Sequence, residues 1–93
     1  MPYYHYKQNN SGGDFDITDE LNVHTIIKAD NADDADAKLQ SLGGYFNGVQ
    51  DGVDCECCGD RWYRTSEDDA RDFPHIYGEP ITNMSDHRYT IHE

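Results

Sequence analysis

The sequence predicts an α+β fold: a small antiparallel sheet with one main helix packed on one face, and a cysteine-tipped hairpin. Three observations carry this expectation. Val23-His24-Thr25-Ile26-Ile27-Lys28-Ala29 is β-branched at four of its seven positions, which suits a strand. Ala32, Ala35, Leu39 and Leu42 follow at steps of three, four and three, the spacing of one apolar helical stripe. Arg61-Trp62-Tyr63-Arg64-Thr65 then alternates directly after a run holding all three cysteines. The 93 residues suffice for one domain, 1–93, with a small core.

The first element is a tyrosine-rich strand over Tyr3 to Lys7. Gln8-Asn9-Asn10-Ser11-Gly12-Gly13 reads as a turn. Phe15 and Ile17 alternate with acids and read as a second strand, paired to the first as a hairpin. After the Val23–Ala29 strand, Asp30 or Asn31 caps the helix, with Asp33, Asp34 and Asp36 suited to its positive end. Gly43-Gly44 ends it. Tyr45-Phe46 is expected to re-enter the sheet, and Asn47-Gly48 and Asp51-Gly52 are turn signals. Val53 leads into the cysteine turn, and Arg61 to Thr65 leaves it as a strand. Ser66 to Asp72 reads as a helical turn or exposed loop. Phe73 to Pro80 contains two prolines and is expected to be irregular but packed through its aromatics. Arg88-Tyr89-Thr90-Ile91-His92 supplies a last edge strand.

The chemistry-bearing run is Asp54-Cys55-Glu56-Cys57-Cys58-Gly59-Asp60-Arg61-Trp62-Tyr63-Arg64. Cys55 and Cys58 form a C-x-x-C pair, with Cys57 beside them, which is half of a zinc site. His75 would complete the set Cys55, Cys57, Cys58 and His75, holding a structural zinc; His5, His24, His87 and His92 are the other imidazoles. No histidine stands at a ligand-like spacing from a partner, and a hairpin tip with reduced thiols fits the same residues. The acids Asp54, Glu56 and Asp60 disfavour thiolates and argue against a redox role. Arg61, Trp62, Tyr63 and Arg64 form a candidate binding surface, because arginine and aromatic side chains dominate interface hot spots. The competing expectation is that Trp62 anchors the core while the arginines pair with nearby acids.

Nineteen acids against seven bases give a net charge of −12. That disfavours direct binding to duplex nucleic acid or to an anionic membrane surface. Basic partners or cations are compatible, and solubility alone would also explain the acidity. Met1-Pro2-Tyr3-Tyr4-His5 has neither a basic start nor an apolar run, and no segment approaches transmembrane length, so the sequence predicts no leader and no membrane span. Three clustered cysteines do not make a disulfide framework and point to a reducing compartment. No serine elbow, H-E-x-x-H, nucleotide-binding fingerprint or deaminase motif is present, so a non-enzymatic role is favoured over a small metal-dependent enzyme.

Three pieces together resemble a family of small proteins of tailed bacteriophages: the opening Tyr3-Tyr4-His5-Tyr6-Lys7-Gln8-Asn9-Asn10-Ser11-Gly12-Gly13, the strand–helix unit from Ile26 to Gly44, and Cys57-Cys58-Gly59-Asp60-Arg61-Trp62-Tyr63. The resemblance implies an accessory phage protein made in the host cytoplasm and carries over no catalytic residue. The expected function is to bind and modulate a host factor, with host-defence components among the targets implied. Alternatives are a sponge for a nucleotide-like signalling molecule and an acidic nucleic-acid mimic. The partner is then a host protein or a small signalling molecule, and the sequence leaves room for a homo-oligomer.

Overall fold

The computed structural model describes residues 1–9, 15, 17–54, 59–83 and 88–93. Among the described residues five strands, one α-helix and two 3₁₀ turns follow in the order β1 (Tyr3–Lys7), β2 (His24–Lys28), α1 (Ala32–Ser41), the turn Glu67–Asp69, β3 (His75–Ile76), β4 (Glu79–Pro80), the turn Ile81–Asn83 and β5 (Tyr89–His92). The architecture is α+β. The main sheet has the order β1-β2-β5, and it is mixed where an antiparallel sheet was expected: β1 runs antiparallel to β2, while β5 runs parallel to it. β3 and β4 form a separate two-stranded ribbon.

Strand alternation sends side chains to two buried faces. Tyr4 pairs with Ile27 and Tyr6 with Thr25 on the face covered by α1, where Ala32, Ala35, Leu39, Phe46 and Trp62 complete the larger apolar cluster. Tyr3, His5 and Ile26 point to the other face, where Tyr3 and Ile26 pack with Ile76 of the ribbon. The helix stripe is placed as its spacing requires: Ala35 and Leu39 are fully buried, and Leu42 packs against the cluster's edge.

Two side chains secure the start of α1. Asn31 is the N-cap and accepts from the Asp34 N–H at 2.8 Å, while Glu67 reaches across the fold to accept from the Ala32 N–H. At the other end Gly43 takes a positive φ of 111°, and the Gly44 N–H returns to the Leu39 carbonyl.

Three expected strands do not form. Phe15 and Ile17 lie outside any strand, and β1 pairs instead with β2. The fully buried Ile26 and Ile27 pack on both faces of the sheet, a gain that an acid-alternating Phe15/Ile17 segment cannot match. Tyr45-Phe46 joins the helix-side cluster through its side chains rather than through a ladder. Arg61 to Thr65 is likewise irregular. Carboxylates there take the place of a neighbouring strand: the Arg61 N–H donates to Asp54 at 2.7 Å and the Thr65 N–H to Asp36 at 3.1 Å. The cysteine hairpin itself falls on residues outside those described.

Candidate functional site

A cleft of about 440 Å³ lies on the ribbon side of the β1 edge, lined by His5, Tyr6, Lys7, Asn9, Tyr63, Arg64, Thr65, Ser66, Asp69 and Tyr77. Its volume lies within the usual range for small-ligand sites, about 300–1,000 Å³. Tyr63 and Tyr77 are 56% and 69% exposed, so both present ring surface to an incoming ligand. The Arg64 guanidinium stands 4.4 Å from the Phe46 ring centroid and 3.9 Å from the Asp36 carboxylate, with its side chain more than half exposed. Lys7 is exposed and donates to the Gln8 carbonyl at 3.3 Å. The cleft thus gathers two cationic tips and two aromatic faces in a protein of strongly negative charge.

One wall of the cleft is a tight turn. Tyr77 and Gly78, between β3 and β4, both take positive φ, 54° and 86°. That is the two-residue loop whose twist matches a hairpin, and tyrosine is an unusual occupant of its first position. Two imidazoles hold it. The Tyr77 N–H donates to His5 Nδ1 at 3.3 Å, and the Gly78 N–H donates to His75 Nδ1 at 2.9 Å. Because each Nδ1 accepts, each neutral ring carries its proton on Nε2. His5 Nε2 then donates to His24 Nδ1 at 2.8 Å, and His75 Nε2 to the Tyr3 carbonyl at 3.1 Å. Burial above all, followed by His24, His75 and Lys7, pushes the His5 imidazole down to about 3. Asp69 lies beneath, accepting from the His5 N–H at 2.6 Å and from the Thr65 hydroxyl at 3.3 Å.

The expected binding run is split by the fold. Trp62 is 1% exposed and belongs to the helix-side core; its indole N–H finds no acceptor among the described residues. Arg61 is also buried. Its Nε donates to the Tyr45 hydroxyl at 3.2 Å and its guanidinium to Gln8 Oε1 at 3.2 Å, while Asp54 stands 3.9 Å away and accepts from Tyr45. Only Tyr63 and Arg64 reach the cleft. Lys7, Asn9 and Tyr77 join them without having been singled out in the sequence. The aromatic Tyr77 just before Gly78 was the available signal, since glycine favours a tight turn there.

Of the expected metal set, Cys55, Cys57 and Cys58 lie outside the described residues. His75 is fully buried with both ring nitrogens engaged by backbone groups, so binding a metal would cost it one of those bonds. Among the described residues no group of three or more His, Cys, Asp or Glu is arranged to hold a metal ion. Among them, too, no helix is long and apolar enough to cross a membrane.

The described parts of the tyrosine-rich opening and of the run after the cysteines meet in space. Asn9 donates from its amide side chain to the Asp60 carbonyl at 2.7 Å, and its backbone N–H to the Arg61 carbonyl at 2.8 Å. Asp60 in turn accepts from the Val49 N–H. A family model described as a domain of unknown function, DUF7296, matches residues 1–93. The chain belongs to this family. Comparisons with curated proteins and with solved structures return no match. The Gln8-Asn9 and Asp60-Arg61 contacts form a partly buried polar clamp beside the cleft.

Proposed function

We propose that the protein is a non-enzymatic phage accessory protein of the host cytoplasm that acts by binding, and that its cleft takes a nucleotide-like host signalling molecule. The observation that carries this reading is the joint presence of Lys7, Arg64, Tyr63 and Tyr77 around one cleft. Exposed tyrosine faces stack on bases with little regard to their identity, and arginine and lysine hold phosphate. The neighbouring acids do not counter this fully, because Asp69 is occupied by the His5 N–H and Thr65. Both His5 nitrogens have partners, which supports holding rather than acid–base chemistry. A nucleic-acid mimic is less well supported, since Asp36 and Asp54 are buried and serve as internal acceptors.

Calorimetric titration with AMP, GMP, CMP and UMP at physiological salt tests the proposal. Binding should be detectable, and Tyr77→Ala should weaken it about tenfold, within the range of about 1–3 kcal/mol expected for one stacked base. Arg64→Ala should weaken nucleotides more than the corresponding nucleosides. No heat at millimolar nucleotide would overturn the reading. The exposure of Tyr63 and Tyr77 also favours a second one, docking of a host protein on the same rim. Native mass spectrometry after incubation in host lysate separates the two: a gain of a few hundred daltons supports the nucleotide, whereas a protein-sized gain abolished by Tyr63→Ala supports docking.

A further inference from the structure

We propose that His5 and His75 are positioning residues for the cleft: through Nδ1 acceptors they latch the Tyr77-Gly78 turn and so hold the Tyr77 ring at the rim, and a proton taken up by His5 undoes the latch. The inference rests on the cleft reading only for what the Tyr77 ring is there to contact.

The argument is one of donors and acceptors. Tyr77 and Gly78 are consecutive, and their N–H groups are taken by two different imidazoles from β1 and β3. No carbonyl is needed for this, and a left-handed tyrosine backbone is held in a conformation that a free chain seldom adopts. An imidazolium has no acceptor. A proton on His5 Nδ1 would set N–H against N–H at Tyr77. The surroundings of His5 oppose its charging: His24 from β2 at 2.8 Å, His75 from the ribbon with ring centroids 6.1 Å apart, and Lys7 on its own strand. Asp69 is a carboxylate close by, 3.9 Å from His75 Nε2, and its oxygen already accepts from the His5 backbone N–H. The Tyr77 ring packs edge-on against His5 at 4.7 Å, so the ring and the hydrogen bond depend on the same partner. The depressed His5 value of about 3 agrees with a closed latch that excludes the proton.

The test is amide hydrogen exchange by NMR on the ligand-free, full-length protein between about pH 7.5 and pH 5, so that a failure of nucleotide binding does not bear on it. Hydroxide-catalysed exchange ordinarily slows about tenfold per pH unit on acidification, as the Gly52 amide in the distant 47–54 turn should. If opening is linked to uptake of a proton, the Tyr77 rate should instead level off below about pH 6.5, where a released imidazole titrates. In His5→Asn, whose side-chain oxygen supplies an acceptor near the Nδ1 position but cannot titrate, the tenfold fall should return at Tyr77. A tenfold fall at Tyr77 in the natural protein would overturn the proposal. So would levelling at a rate equal to that of the Leu39 amide, which reports global unfolding. Should His5→Asn not fold, the natural protein's two profiles still decide.

Discussion

Arg61 and Arg64 stand three residues apart, yet their surroundings give them opposite work. Arg61 is fixed inside by Asp54, Tyr45 and Gln8, whereas Arg64 lies over Phe46 at the cleft. Arg61→Ala should therefore cost about 3–5 kcal/mol, the usual loss when one partner of a buried ion pair is removed, while Arg64→Ala should stay within about 1 kcal/mol in urea unfolding. Gly48 is governed by the same network, because a Cβ there would run into the Asp54 carboxylate. Gly48→Ala should destabilise by about 1–3 kcal/mol through overpacking. The sequence offered both alternatives for Trp62 and could not choose between them. Alternation around it suggested a surface strand; the carboxylates that replace that strand's ladder, Asp36 and Asp54, sit many positions away in the chain. A network closed by distant residues leaves no local period to read.

At the level of elements, α1 and β2 were legible because local spacing and composition agree with the tertiary burial. Leu39 has no exposure, and Leu39→Ala should cost about 2–5 kcal/mol in the denaturation midpoint. The start of α1 is less local than its sequence suggests. Of the two expected caps, Asp30 and Asn31, it is Asn31 that caps, but Glu67 adds a second acceptor and also receives the Tyr4 hydroxyl at 2.9 Å. Glu67→Ala should therefore destabilise at least as much as Asn31→Ala, for which about 0.5–2 kcal/mol is typical of a lost cap. Equal stability of Glu67→Ala and the natural protein would show that water replaces that carboxylate. The final strand was expected as an edge strand and is one, but its parallel direction depends on the path of the whole chain. The cleft was only half legible for a similar reason: Tyr63 and Arg64 come from the conspicuous run, while Lys7 and Tyr77 are brought to it by the sheet and the ribbon.

For the whole molecule, charge and pH act in opposite directions. A net charge of −12 repels itself, and the range of that repulsion shrinks from about 30 Å to about 3 Å between 0.01 M and 1 M salt. The thermal midpoint should rise with sodium chloride. His5 sets the pH response. Its folded value is depressed to about 3 from an ordinary value near 6.5, so between those limits the unfolded chain binds a proton that the folded chain refuses. The stabilisation is whole above about pH 6.5 and declines as pH falls toward about 3. Urea midpoints compared at pH 7.5 and pH 5 should drop less in His5→Asn than in the natural protein. Many of the acids behind the net charge are also internal fittings. Asp36, Asp54, Asp60, Glu67 and Asp69 each accept a backbone N–H outside regular ladders. Acidity here reflects how a loop-rich chain satisfies its backbone as well as what it meets in solution.

The central strand has a consequence for how the chain is made. β2 is flanked by β1, which precedes it in synthesis, and by β5 (Tyr89–His92), which follows much later; Ile26 has Ile91 as its register partner. A ribosome delivers β1 and β2 together, but it cannot deliver the second neighbour until residues 29–88 have also been translated. For that interval the nascent protein carries an open, isoleucine-rich strand edge, the kind that pairs with other chains. Closing the gap then requires joining two segments separated by residues 29–88, which slows folding. Truncation within Tyr89–His92 should leave a translation product that accumulates as aggregates even though the helix and its core residues are all present.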